Sequence, residues 1–238
     1  MREFSAGEGT MGDEFGLRGY RVQDPARAEA RRREIMRAMA EVVLEKGLPD
    51  ATLEDVAAKM GTSRAVIYYQ FRSKEDLWVE VAVEAVRTAE RRLRAIIAAA
   101  PGPEAALFNA LRDLLIMGEH HTIVRASYVG GRSRNLSPEG RERVREADRD
   151  YEHALMDVVK WGVDAGVFIP RDARLVAYTL MFATNNNFSW RRPGGPLTFE
   201  YILAELPAML LNSVLLEPRV FEPHGPHPLP PVIDPGEV

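Results

Sequence analysis

The sequence predicts an all-α protein: an N-terminal three-helix helix-turn-helix domain followed by a larger helical domain. Three observations carry this. Residues 52–77, TLEDVAAKMGTSRAVIYYQFRSKEDL, read as two short helices joined by a tight turn and followed by a capped third. Beyond Pro103 the segments are helical by pattern, with apolar residues on the 3.6-residue period. Apolar residues make up 46% of 238, enough for a sizeable core.

Residues 1–23 are Gly-rich and polar and read as a disordered arm, or as a basic arm that touches DNA phosphates through Arg18 and Arg21. The first helix is expected over Pro25 to Lys46, with Asp24 as a cap and Pro25 in its first turn. Ile35, Met39, Val42 and Val43 share one face, and Gly47 suits a left-handed stop. Arg27, Arg31, Arg32, Arg33 and Arg37 form either a solvated face or a surface that steers a phosphate backbone. Thr52 with Asp55 three residues on is a cap signature for the second helix, which buries Leu53, Val56, Ala57 and Met60. Gly61 supplies the turn, and Ser63 is expected to cap the third helix, Arg64 to Gln70. Ile67 and Phe71 then face inward, which leaves Arg64, Tyr68 and Tyr69 outside. Two tyrosines on the exposed face of so short a helix call for a partner, and DNA phosphates and thymine methyls supply one.

Ser73 caps a long helix to about Ala100, roughly 40 Å at 1.5 Å per residue. Its N-terminus with Lys74 is expected to clamp phosphate. Pro101-Gly102-Pro103 breaks it. Helices follow over 104–118, 120–130, 139–166, 172–190 and 199–216, with Pro207 expected to kink the last. The last two are apolar nearly all round, so one side is read as packing on the domain and the other on a second copy, a four-helix homodimer interface. The organisation expected is an arm over 1–23, a DNA-binding domain over 24–75, a ligand-binding and dimerisation domain over 76–216, and an extended or disordered Pro-rich tail over 217–238.

Cysteine is absent, which excludes disulfides, thiolate metal sites and a cysteine nucleophile and fits a reducing cytoplasm. No apolar run approaches the roughly 18 residues of a membrane span, and no secretory signal is visible. With a net charge of −4, any DNA contact must come from a local basic surface.

Gly47, Thr52, Val56-Ala57, Gly61, Ser63, Ile67-Tyr68-Tyr69-Gln70-Phe71 and Ser73-Lys74-Glu75-Asp76-Leu77, in this order and spacing, resemble the DNA-binding domain of TetR-family transcriptional regulators. The resemblance covers some 45 residues. It implies that Ser63, Arg64, Tyr68 and Tyr69 face the groove or its phosphates, with Gln70 and Lys74 on phosphate. Ala65 and Val66 stand where the family often has Gly then Thr. Val66 cannot donate a hydroxyl contact and is expected to touch a thymine methyl instead. The candidate DNA-contacting residues are thus Thr52, Ser63, Arg64, Val66, Tyr68, Tyr69, Gln70 and Lys74. Residues 190–197, WRRPGGPL, look like the C-terminal region of TetR-type regulators of fatty-acid and steroid catabolism, several of which respond to acyl-CoA thioesters. That implies a CoA-phosphate role for Arg191 and Arg192 beside Trp190; the alternative is that the three residues close a helix.

Asn185-Asn186-Asn187 are read as ligand-bonding or register-setting amides, or as a fraying helix end. Phe108, Met117, Met156, Trp161, Met181, Phe182 and Asn186 are the candidate effector-binding residues, and the apolar ones are otherwise ordinary core. The adjacent His120 and His121 point apart on a helix and do not make a metal site. No Ser/His/Asp arrangement can be assembled. The expectation is a non-enzymatic, dimeric regulator, a repressor released from a palindromic operator by a small-molecule effector, with acyl-CoA the candidate and no cofactor. The competing reading is a helical enzyme or binding protein, or an adaptor, whose helix-turn-helix reads no DNA.

Overall fold

The computed structural model describes residues 25–131, 136–186, 190–192, 194–221 and 226–236. The expected N-terminal arm, the Asp24 cap and Asn187 lie outside them. Among the described residues the chain forms α1 (Pro25–Lys46), α2 (Leu53–Lys59), α3 (Arg64–Gln70), α4 (Lys74–Ala99), α5 (Pro103–His120), α6 (Thr122–Gly130), α7 (Pro138–Asp164), α8 (Ala173–Asn185) and α9 (Phe199–Asn212).

Short polar side chains set most helix starts. Ser73 Oγ accepts from Asp76 N–H (3.0 Å), Ser137 Oγ from Gly140 N–H (3.1 Å), Asp172 Oδ1 from Leu175 N–H (2.9 Å) and Thr198 Oγ1 from Tyr201 N–H (3.2 Å). Each satisfies an orphan amide of the first turn and contributes about 1 kcal/mol.

Two cores follow from the helix faces. The first joins Ile35, Met39 and Val43 of α1, Val56 of α2, Ile67 of α3 and Leu77, Trp78 and Val81 of α4, and it extends to Ala126 of α6 and Val144 of α7. The second joins Leu93 of α4, Leu107, Phe108 and Leu111 of α5, Leu155 and Val158 of α7, Leu180 of α8 and Leu211 of α9. Helices α4 and α7 each line both cores and link them physically. Two close approaches require glycine: a Cβ at Gly130 would lie 2.6 Å from the Trp78 ring, and one at Gly162 would lie 1.9 Å from the Phe168 ring.

At the ends of the last helices and in the tail, the structure departs from the sequence reading in three places. Helix α8 ends at Asn185 rather than near Trp190. Helix α9 runs through Pro207 but stops at Asn212, short of Leu216. There the chain turns back: Leu215 pairs with Phe168 in an isolated antiparallel bridge, and Leu216 N–H donates to Val167 O (2.8 Å), giving the backbone partners a longer helix would not. Last, residues 226–236 of the tail are extended but docked, with Leu229 packed against the second core.

Candidate nucleic-acid interface

The α2–α3 unit is built from its caps inward. Thr52 Oγ1 accepts from Asp55 N–H (3.1 Å) while Asp55 Oδ2 accepts from Thr52 N–H (3.1 Å), a reciprocal capping box. A hydrogen bond from Lys46 and those from Thr52 hold the Asp55 carboxyl below its usual range. The Thr52 hydroxyl also donates to Asp55 Oδ2 (2.8 Å), so in this structure it serves the helix cap. Gly61 then turns the chain with φ +61°, a region that favours glycine.

Helix α3 is anchored through Ile67, which is fully buried, and by Phe71 just past its end. Its outer face carries Tyr68 at 42% and Tyr69 at 72% exposure. Arg64 Nη2 donates to Tyr68 Oη (2.6 Å), its guanidinium lies 4.8 Å from the Tyr68 ring, and it is ion-paired with Glu54 of α2. That contact fixes the arginine and tyrosine as one exposed plate. Ser63 has the extended backbone of an N-cap, but its hydroxyl makes no capping bond, contrary to expectation. Val66 is half-buried beside Ala65, Tyr69, Gln70 and Arg31, in an open depression between α1 and α3. Arg31 of α1 therefore belongs to the same surface, which the sequence showed only as one member of an arginine run.

Two basic residues beside this surface turn inward: Lys74, a candidate phosphate contact, and Arg32, one of the arginines read as either a solvated face or a phosphate-steering surface. Lys74 Nζ donates to the carbonyls of Leu48 (2.8 Å), Pro49 (3.0 Å) and Ala51 (2.7 Å), so its three protons bind the α1–α2 loop rather than a phosphate. Arg32 stacks on the Phe71 ring (4.4 Å), donates to Gln70 O (3.3 Å) and pairs with Glu80 of α4 (3.0 Å). Glu80 is also bonded by Arg143 of α7, which lies 3.6 Å from Asp76. Burial opposes ionisation of Glu80, but the hydrogen bonds from Arg143 and Arg32 outweigh it and hold the carboxyl below its usual range. This hub ties α1, α4 and α7 together directly behind the outer face of α3. No local motif marks it, because Glu80 and Arg143 are distant in sequence.

Comparison with known proteins agrees with the fold. The family model for bacterial regulatory proteins of the tetR family matches residues 35–81, and that for the tetracyclin repressor-like C-terminal domain matches residues 102–214. The chain belongs to the TetR family of transcriptional regulators. It is 26% identical over 189 residues to the HTH-type transcriptional repressor KstR2 of Mycobacterium tuberculosis, a match covering 79% of this chain and 94% of that one. The solved structure of that ketosteroid regulator superposes with a TM-score of 0.65, covering 79% and 96% of the two chains. Two more distant structures share the fold. AibR, in complex with isovaleryl coenzyme A and operator DNA, has a TM-score of 0.67 at 19% identity, covering 76% and 98%. FadR of Bacillus subtilis, in complex with stearoyl-CoA, has a TM-score of 0.66 at 17% identity, covering 76% and 98%.

In this TetR-family chain the effector candidates do not converge on one wall. Phe108 and Met156 are buried in the second core, with Met181 at its edge, whereas Met117 sits in a separate small cluster with Ala85 and Val124. Phe182 is 71% exposed, and Trp161 and Trp190 also face solvent, so these three are not cavity lining in a single copy. Asn186 follows the end of α8 and is exposed. Arg191 is ion-paired with Glu119 and lies 5.8 Å from the Phe199 ring, while Arg192 is exposed. His120 packs edge-on against Phe199 (5.2 Å), and His121 Nδ1 accepts from Val124 N–H (3.4 Å), so each histidine serves packing or a cap. Among the described residues, no helix is long and apolar enough to cross a membrane.

Proposed function

We propose that this TetR-family regulator is a dimeric repressor whose α3 reads the major groove of a palindromic operator and whose larger domain responds to an acyl-CoA. The exposed Arg64–Tyr68 plate and the exposed Tyr69, on a helix anchored by Ile67, carry the DNA half. A bare tyrosine face is unfavourable in water and is repaid on phosphates and thymine methyls. Ser63, with its uncommitted hydroxyl, Val66, Gln70 and Arg31 complete the surface. Lys74 and Thr52 hold it in shape from behind.

The dimer half rests on an exposed apolar stripe. Leu175 (66%), Tyr178 (42%) and Phe182 (71%) recur at one-turn and two-turn spacing along α8, and Tyr201 (53%) and Met209 (63%) continue it on α9. Five large apolar side chains on two adjacent helices mark a contact surface rather than scattered exposure. A twofold axis there also gives operator half-sites two reading helices. The effector half is supported by KstR2, a repressor, and by AibR and FadR, whose structures hold acyl-CoA thioesters. Of the two arginines assigned to CoA phosphate, exposed Arg192 is the better placed, since Arg191 already has a carboxylate. The test is electrophoretic mobility shift on promoter fragments at stated ionic strength, followed by titration with acyl-CoA. A sequence-selective shift reversed by acyl-CoA is expected. A protein that shifts no fragment selectively, its own promoter included, is not this regulator.

A further inference from the structure

The tail segment 226–236 lies beyond the matched family models, the later of which ends at residue 214, yet it is held at defined atoms. Asn109 of α5 is only 2% exposed. Its Nδ2 donates to the Pro231 carbonyl (2.9 Å) as well as to Ala105 O (2.8 Å), and its Oδ1 accepts from the Ile233 N–H (2.8 Å). Both ends of one buried amide thus engage the backbone of an extended chain two residues apart. Arg92 of α4 adds a bond from Nη1 to the Gly236 carbonyl (2.6 Å). The rest of that guanidinium grips Asp113, with Nε 3.1 Å from both carboxylate oxygens and Nη2 2.6 Å from Oδ1. The arginine is therefore charge-compensated, and what it presents to the tail is a donor for a carbonyl rather than a bare field for an anion. Leu229 lies against the second core, and a cleft of about 350 Å³ stays open between residues 101–105, Val167 and 228–231.

A buried side-chain amide is costly unless its bonds are made. Asn109 is built for an extended, amide-bearing chain, and in this structure the tail provides it. The tail itself is weakly held: Pro228, Pro231, Val232, Asp234 and Gly236 are exposed, and its contacts are a few bonds at one edge of the domain. Such segments lie at the low end of local stability, and covalent tethering keeps them at high effective concentration.

We propose that residues 226–236 are a tethered, displaceable occupant of the α4–α5 groove. The groove's other ligand is an extended amide-bearing chain with an apolar end that replaces Leu229. The pantetheine arm of a CoA thioester belongs to that class, and this second half rests on the acyl-CoA reading above. The tail then competes with the effector and sets the concentration at which it acts.

The test uses the full-length protein. Ile233→Pro deletes the N–H that Asn109 accepts, without touching the helical body; Asn109→Leu deletes the partner from the other side. Hydrogen exchange of the Ile233 amide is compared between wild type and Asn109→Leu, and release of operator DNA by isovaleryl coenzyme A is measured in wild type and Ile233→Pro. The Ile233 amide is expected to exchange faster in Asn109→Leu, and the release midpoint in Ile233→Pro to fall about fivefold, the scale of one lost hydrogen bond. Unchanged Ile233 exchange in Asn109→Leu overturns the docking. Quickened exchange there, with an unchanged or raised release midpoint in Ile233→Pro, overturns the competition while leaving the acyl-CoA reading intact. If the thioester releases neither wild-type nor variant protein, the ligand class falls with that reading, and the tail docking is decided by the exchange rates alone.

Discussion

Replacing Lys74 with Met separates two roles that sequence reasoning could not. The ammonium makes three hydrogen bonds of 2.7–3.0 Å to carbonyls of the α1–α2 loop. A hydrogen bond to a charged group contributes about 1.5–3 kcal/mol net when buried. Lys74 is half-exposed, and the Pro49 bond lies at the surface, so water replaces part of what is lost. A loss of about 2 kcal/mol is the reasonable scale, and for a chain of this size that lowers Tm by about 4–8 °C. Met keeps the aliphatic stem, which isolates the ammonium. Thermal unfolding by circular dichroism reads the stability, and operator affinity across a salt series reads the phosphate count. The structure predicts a lower Tm with an unchanged salt slope. An unchanged Tm, with a slope shallower by about 0.9 for one lost phosphate contact, would refute the inward assignment.

Other consequences are equally direct. Tyr69→Ala, at a site 72% exposed, should leave the unfolding free energy within about 0.5 kcal/mol of wild type yet weaken operator binding by about tenfold or more, read by fluorescence anisotropy. Gly162→Ala drives a Cβ to 1.9 Å from the Phe168 ring and should cost about 1–3 kcal/mol in denaturant unfolding. Glu80 has a folded pKa below its ordinary 4.5, so its contribution is present above that value and is lost as pH falls through the folded one. Glu80→Gln should therefore lower Tm at neutral pH and shrink the difference between neutral pH and about pH 4; an unchanged difference would remove the hub from the account. Phe182→Glu, on the exposed α8 stripe, should shift sedimentation from dimer to monomer.

The parts of this protein that the sequence shows plainly are those written locally. Caps at Thr52, Ser73, Ser137, Asp172 and Thr198 lie within three residues of the groups they satisfy, and the Pro101-Gly102-Pro103 break needs no tertiary context. The outward face of α3 was legible for the same reason, because Ile67 and Phe71 define the inner one. What was not legible depends on distant partners. Nothing near Lys74 announces that three carbonyls from the preceding loop will enclose its ammonium. Arg32 looked like one of five equivalent arginines until Phe71 and Glu80 closed on it. The tail composition says only that it forms no helix, while its docking is decided by one amide on α5. The apolar residues chosen as pocket lining were sorted by size, and size does not say which side of a helix meets a cavity, a core or a second copy.

The central claim is that the outer face of α3 reads operator DNA. It is tested most directly by comparing wild-type protein with an Arg64→Ala, Tyr69→Ala variant on fragments of its own promoter at one ionic strength. The structure predicts that wild type selects one fragment, and that the variant, folded to the same Tm, loses that selectivity. Equal selection of the same fragment by both proteins would contradict it.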